Sequence, residues 1–169
     1  AHLLAPKDGL ALIQLGEVME KTASSYEDFR RVMSYYQRAI DRDPTEAMGY
    51  IKLGMLETEQ YNFERGFKLL NQALTLAPES EKPYIAVGKH AYKREDYSES
   101  LNYFLKAAKI NPADSETMYY AGKLRLVYKK DGAKEALRFF SQAYTLDPRN
   151  YDALSEWLKL KVVNYDKHF

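Results

Sequence analysis

Residues 106–112 read Lys106-Ala107-Ala108-Lys109-Ile110-Asn111-Pro112, and the phrase occurs three more times. The copies are Arg38-Ala39-Ile40-Asp41-Arg42-Asp43-Pro44, Gln72-Ala73-Leu74-Thr75-Leu76-Ala77-Pro78 and Gln142-Ala143-Tyr144-Thr145-Leu146-Asp147-Pro148. Their prolines lie 34, 34 and 36 residues apart. A second anchor precedes each phrase: Leu15-Gly16, Leu53-Gly54, Val87-Gly88 and Ala121-Gly122. Two anchors kept in phase over a period of this length mark a repeat array. From glycine to proline the distance is 24 residues in the two middle copies, 28 in the first and 26 in the last. The four extra residues of the first copy fall within 21–28 and the two of the last near 128–132. A turn between paired helices tolerates both.

Each copy reads as two helices. Around the first anchor, Tyr50, Leu53, Gly54 and Glu57 recur at helical spacing, as do Tyr84, Val87, Gly88 and Ala91. Downstream, steps of four and three pick out Val32/Tyr36/Ala39, Gly66/Leu70/Ala73, Ser100/Phe104/Ala107 and Ala136/Phe140/Ala143. That column is small at its two ends in most copies and large in the middle, as a close helix crossing requires. Proline then ends the second helix, because its ring breaks the hydrogen-bond ladder and restricts the residue before it. A last stretch with Leu154, Trp157 and Leu158 looks like another first helix without a partner, and is expected to cap the array.

This pattern resembles the tetratricopeptide repeat over nearly the whole chain. The 81–114 unit matches through Tyr84, Val87-Gly88, Phe104, Ala107 and Pro112, with Ser100 in place of the first alanine. The 115–150 unit matches through Met118, Ala121-Gly122, Ala136, Phe140, Ala143 and Pro148. The 47–80 unit matches through Tyr50, Leu53-Gly54, Ala73 and Pro78 but carries Gly66 and Leu70 at the other two positions. The 9–46 unit matches least, with Val32 for alanine and the insertion. The resemblance implies an all-α fold, a solenoid of antiparallel helix pairs over residues 1–169. Its repeats would be 9–46, 47–80, 81–114 and 115–150, with a capping helix in 151–169. It also implies a non-catalytic protein-interaction scaffold.

Composition narrows the alternatives. No apolar run approaches the roughly 18 residues that a membrane span needs. Lys plus Arg is 25 and Asp plus Glu is 24, so bulk charge gives no reason to expect nucleic-acid binding. Zero cysteines exclude disulfides, thiolate metal sites and cysteine nucleophiles, and fit cytosol and bacterial periplasm alike. The chain opens Ala-His-Leu-Leu, without Met and without a basic-apolar signal segment, as a trimmed or mature segment would.

No constellation suited to catalysis, metal or cofactor binding emerges. His2, His90 and His168 are far apart in sequence. Gly88-Lys89 and Gly122-Lys123 lack the earlier glycine and the following Ser or Thr of a phosphate loop, and both fall inside expected helices. Carboxylate pairs such as Glu57/Glu59 and Glu95/Asp96 read as solvated helix ends or turns. Of the tyrosines, Tyr36, Tyr50, Tyr84, Tyr97 and Tyr144 fall at positions expected to pack between helices. Tyr92, Tyr119 and Tyr120 fall on the other face of the first helix.

That other face is the expected concave groove of the array, where the resemblance implies a protein or peptide partner. With the glycine anchor as the eighth position, the second, fifth, ninth and twelfth share one helix face. The fifth positions hold Ile13, Ile51, Ile85 and Tyr119; the ninth hold Glu17, Met55, Lys89, Lys123 and Lys159. Lys82, Tyr92, Lys93 and Tyr120 adjoin them. Segment charge runs −2, −1, +1, +3 and 0 from the first unit to the cap. The expected partner segment is therefore partly acidic and partly apolar. Co-chaperone members of the family hold a C-terminal carboxylate with a Lys, Asn, Asn, Lys and Arg set. The corresponding positions hold Ile13, Glu17, Lys52, Lys82 and Ala86, or one unit later Ile51, Met55, Ala86, Glu116 and Tyr120, so chaperone-tail capture is not expected. Two rival readings remain: a self-association (homo-oligomer) module using the 21–28 insertion or the Trp157 helix, and a substrate-positioning domain of a larger enzyme.

Overall fold

A computed structural model describes residues 7–128 and 132–165. Among them the chain forms nine α-helices and no strand, the all-α fold of helix pairs expected from the repeat. The chain divides into two compact units, residues 1–78 and 79–169. The first contains α1 (Lys7–Glu20), α2 (Tyr26–Arg42), α3 (Ala47–Glu59) and α4 (Phe63–Leu76). The second contains α5 (Glu81–Lys93), α6 (Tyr97–Ile110), α7 (Ser115–Tyr128), α8 (Ala133–Leu146) and α9 (Tyr151–Tyr165). No helix of the described residues is long and apolar enough to cross a membrane.

The anchors account for how each pair closes. A Cβ built on Gly122 would lie 2.6 Å from the Phe140 ring, one on Gly54 2.8 Å from Leu70 Cγ, and one on Gly88 3.1 Å from the Phe104 ring. Gly16 faces Tyr36 in the same way. The glycine of the first helix is thus the hole that receives the large residue of the second. The flanking positions Val32, Ala39, Gly66, Ala73, Ser100, Ala107, Ala136 and Ala143 are all buried. Ser100, in place of alanine, donates its hydroxyl to the Gly88 carbonyl at 2.8 Å, so its polar atom is satisfied across the helix crossing.

Each second helix stops two residues before its proline, at Arg42, Leu76, Ile110 and Leu146. In all four copies the N–H after the helix (Asp43, Ala77, Asn111, Asp147) donates to the carbonyl of the last alanine of the column, at 2.8–3.0 Å. The insertion at 21–28 forms a turn closed by Thr22 N–H on Met19 O and by a capping box. In that box Ser25 Oγ accepts from Asp28 N–H, and Ser25 N–H donates to Asp28 Oδ2. The insertion near 128–132 falls mostly outside the described residues.

Two expectations are corrected. Glu57, expected to be solvated, is 1 % exposed and pairs with Arg65 of α4 at 3.1 Å. Tyr144 is 37 % exposed. It lies one residue past Ala143, about 100° around α8 from the buried Ala136/Phe140/Ala143 stripe, so it points away from the crossing.

Candidate functional site

Within the second unit, the outward faces of α5 and α7 meet through side chains. Tyr92 on α5 packs its ring edge against Tyr120 on α7, with centroids 5.5 Å apart, and a second edge contact joins Tyr119 to Tyr120 at 5.4 Å. Tyr97 on α6 extends the cluster at 5.5 Å from Tyr92. Beneath them Tyr120 stacks flat on Phe104, centroids 4.7 Å apart and planes 3° from parallel. Phe104 is the residue received by Gly88, so the repeat's own core fixes the orientation of the tyrosine cluster above it.

Lys123 sits inside this cluster. Its ammonium lies 5.1 Å from the Tyr92 ring centroid and 5.4 Å from that of Tyr119. Burial alone pushes the ammonium's pKa down. Its interactions with Tyr92 and Tyr119 outweigh that effect, and the net shift is upward. Tyr119 and Tyr120 are shifted up mainly by burial. The arrangement is a cation held among aromatic faces.

Lys89, the other lysine of the expected row, is engaged differently. Its ammonium pairs with Glu116 Oε1 on α7 at 2.6 Å and lies 5.9 Å from the Tyr120 centroid. Sequence reasoning described the row as basic and gave Glu116 no part in it. The signal was present, because Glu116 occupies the second position of α7 and shares a face with Tyr119 and Lys123. Asp152 and Glu156 on α9 also act on Tyr119 and raise its pKa further.

The remaining expected residues are placed as follows. Ile85 is half-buried against the Leu101/Phe104/Leu124 cluster, Lys93 is half-buried, and Lys82 is exposed. Ile51 and Met55 belong to the first unit, where Ile51 is only 9 % exposed and Met55 is half-buried. The structure therefore brings together Ile85, Lys89, Tyr92, Tyr119, Tyr120 and Lys123. In the first unit the ninth position of α1, Glu17, pairs with Lys52 of α3 at 2.5 Å.

No protein-family model matches the chain, and a search of curated proteins finds no match. Solved structures do resemble it. PilF of Pseudomonas aeruginosa superposes with a TM-score of 0.82 at 18% identity, over 95% of this chain and 70% of that one. TTC0263, a tetratricopeptide-repeat protein of Thermus thermophilus, gives 0.76 at 16% identity, over 93% and 83%. YrrB, described as a tetratricopeptide-repeat protein with an unusual peptide-binding site, gives 0.62 at 19% identity, over 94% and 78%. At such identities the likeness is one of fold. The paired helices, the phased Gly and Pro anchors and these neighbours agree: the chain has the tetratricopeptide-repeat fold.

Proposed function

We propose that the α5/α7 face of the second unit binds a partner segment that is apolar and partly acidic. In this reading residues 9–46, 47–80, 81–114 and 115–150 are four repeats, and 151–169 caps them. One observation carries the proposal: a tyrosine cluster seated on Phe104, with Lys123 held in it and Lys89 beside it. Ring and hydrocarbon faces that lose water would supply most of the affinity. Lys123, Lys82 and Lys93 would favour acidic side chains and speed encounter, and a partner carboxylate would compete with Glu116 for Lys89. The peptide-binding site named for YrrB lends support by likeness of fold alone.

The test is selection of a displayed random-peptide library on the whole chain, followed by anisotropy titration of the enriched peptides. Enriched sequences should pair Asp or Glu with Leu, Ile or Phe. Lys89→Glu with Lys123→Glu should weaken binding at least about tenfold, with the larger loss at low salt. Tyr119→Ala should weaken it with little salt dependence. Glu116→Gln should strengthen binding by releasing Lys89. Enriched peptides indifferent to all these changes would remove this face from consideration.

A further inference from the structure

The last helix departs from the repeat in a way that specifies a second docking surface, independent of the α5/α7 face. Its register is fixed by its cap. Asn150 Oδ1 accepts from Ala153 N–H at 3.0 Å, as Asp114 Oδ2 accepts from Thr117 N–H at 2.7 Å one repeat earlier. The same 36-residue offset that separates Pro112 from Pro148 therefore maps Gly122 onto Leu158, Ala121 onto Trp157 and Arg125 onto Lys161. In α1, α3, α5 and α7 the glycine is a hole filled by Tyr36, Leu70, Phe104 or Phe140 of the second helix. In α9 the same position is a leucine, 48 % exposed, with Val162 beyond it 58 % exposed. The hole has become a knob.

Three residues after the glycine, α3 and α7 carry a charge that pairs with the second helix, whereas α1 has Met19 and α5 Ala91. In α7 Arg125 pairs with Glu135, in the first turn of the second helix, Nε to Oε2 at 3.1 Å. In α3 the polarity is reversed, Glu57 pairing with Arg65 in the first turn of α4 at 3.1 Å. In both second helices the residue that enters the glycine hole comes five positions after the charge, Phe140 after Glu135 and Leu70 after Arg65. Lys161 occupies this position in α9 and lies 5.3 Å from the Trp157 ring centroid. Among the described residues it has no carboxylate partner. Beside it runs a cleft of about 590 Å3 between α8 and α9, lined by Lys134, Leu137, Arg138, Leu146, Trp157 and Lys161 among others, with no carboxylate in its lining.

We infer that the Trp157/Leu158/Lys161 face of α9 docks an amphipathic helix of a partner protein. That helix carries Asp or Glu in its first turn, to meet Lys161, and a glycine or alanine five residues later, to receive Leu158. Apolar residues on the same stripe cover Trp157, Val162 and Leu146, and further acidic residues face Lys134 and Arg138. The second helices α2, α4, α6 and α8 do not qualify, because Tyr36, Leu70, Phe104 and Phe140 are all large where Leu158 requires a small residue.

The probe is a stapled, fluorescein-labelled peptide with the α8 sequence 133–146, bearing Phe140→Ala, Lys134→Glu and Arg138→Glu, titrated against the whole chain. It should bind, and the same peptide with Phe140 retained should bind about tenfold more weakly. Leu158→Gly in the chain should reverse that preference. Lys161→Glu should cost about tenfold, recovered by a peptide with lysine at the Glu135 position. These residues are exposed or half-buried, so unchanged far-ultraviolet circular dichroism is expected for each variant. Equal binding of the Ala and Phe peptides, or indifference to Lys161, would overturn the inference. So would a concentration-dependent dimer by light scattering that Leu158→Glu abolishes, since the occupant would then be a second copy of this chain.

Discussion

A single methyl group probes how tightly the helix pairs close. At Gly122 an added Cβ meets the Phe140 ring at 2.6 Å, whereas at Gly88 the nearest ring atom of Phe104 is 3.1 Å away. Alanine in place of glycine gains about 1 kcal/mol of helix propensity, while overpacking a core costs about 1–3 kcal/mol. Gly122→Ala is therefore expected to destabilise by about 1 kcal/mol, and Gly88→Ala to come out near neutral, as chemical denaturation of the two variants would measure. His90 makes a second residue-scale prediction. It is 1 % exposed, and burial, with Arg94 nearby, pulls its pKa from 6.5 down to about 4. Between those values the unfolded chain binds a proton that the folded chain refuses, so stability is complete above about pH 6.5 and declines as pH falls toward 4. The loss is at most about 3 kcal/mol. His90→Gln should flatten that part of the denaturation-midpoint profile against pH.

The turns between paired helices carry a strain that the repeat places at one position. Tyr61 and Glu95 both have φ of 63°, and each lies seven residues after its glycine anchor. A residue with a Cβ costs roughly 1–2 kcal/mol in this left-handed region, and glycine does not. After subtracting glycine's unfolded-state entropy, Glu95→Gly should raise stability by about 0.5–1 kcal/mol, visible as a higher melting temperature. Helix pairs were legible in the sequence because steric complementarity repeats: the glycine, the large residue and the proline each impose a local constraint wherever they occur. Burial of the whole small-large-small column follows from that phase. Charge partners were not legible in the same way. Glu116 occupies the second position of α7, but its pairing with Lys89 depends on how α5 and α7 approach. Tyr120 likewise combines two roles, since only the packed structure shows its ring lying flat on Phe104. Tyr144 shows the converse error: a tyrosine beside the column was read as part of it, and one residue of helix turns it outward.

At the scale of the molecule, the main helix contacts join neighbours in sequence: α1 with α2, α2 with α3 and α3 with α4 in one unit, α5 through α9 in succession in the other, with α1 also touching α3. Stability in such a chain is a sum of pair terms and nearest-neighbour terms, so damage should travel only as far as those terms carry it. Gly122→Leu drives a branched side chain into Phe140 at the α7/α8 crossing. Hydrogen exchange by mass spectrometry should then show faster exchange in α7 and α8, a smaller change in α6 and α9, and no change in α1–α4. The reciprocal variant, Gly54→Leu against Leu70, should loosen α3 and α4 and leave α7–α9 protected. A uniform loss of protection in either variant would mean that the chain opens as one cooperative body, and the division at Pro78 would have no energetic counterpart. Confined losses would instead let each unit be altered separately. Groove variants on α5/α7 and face variants on α9 could then be compared on an undisturbed α1–α4 background.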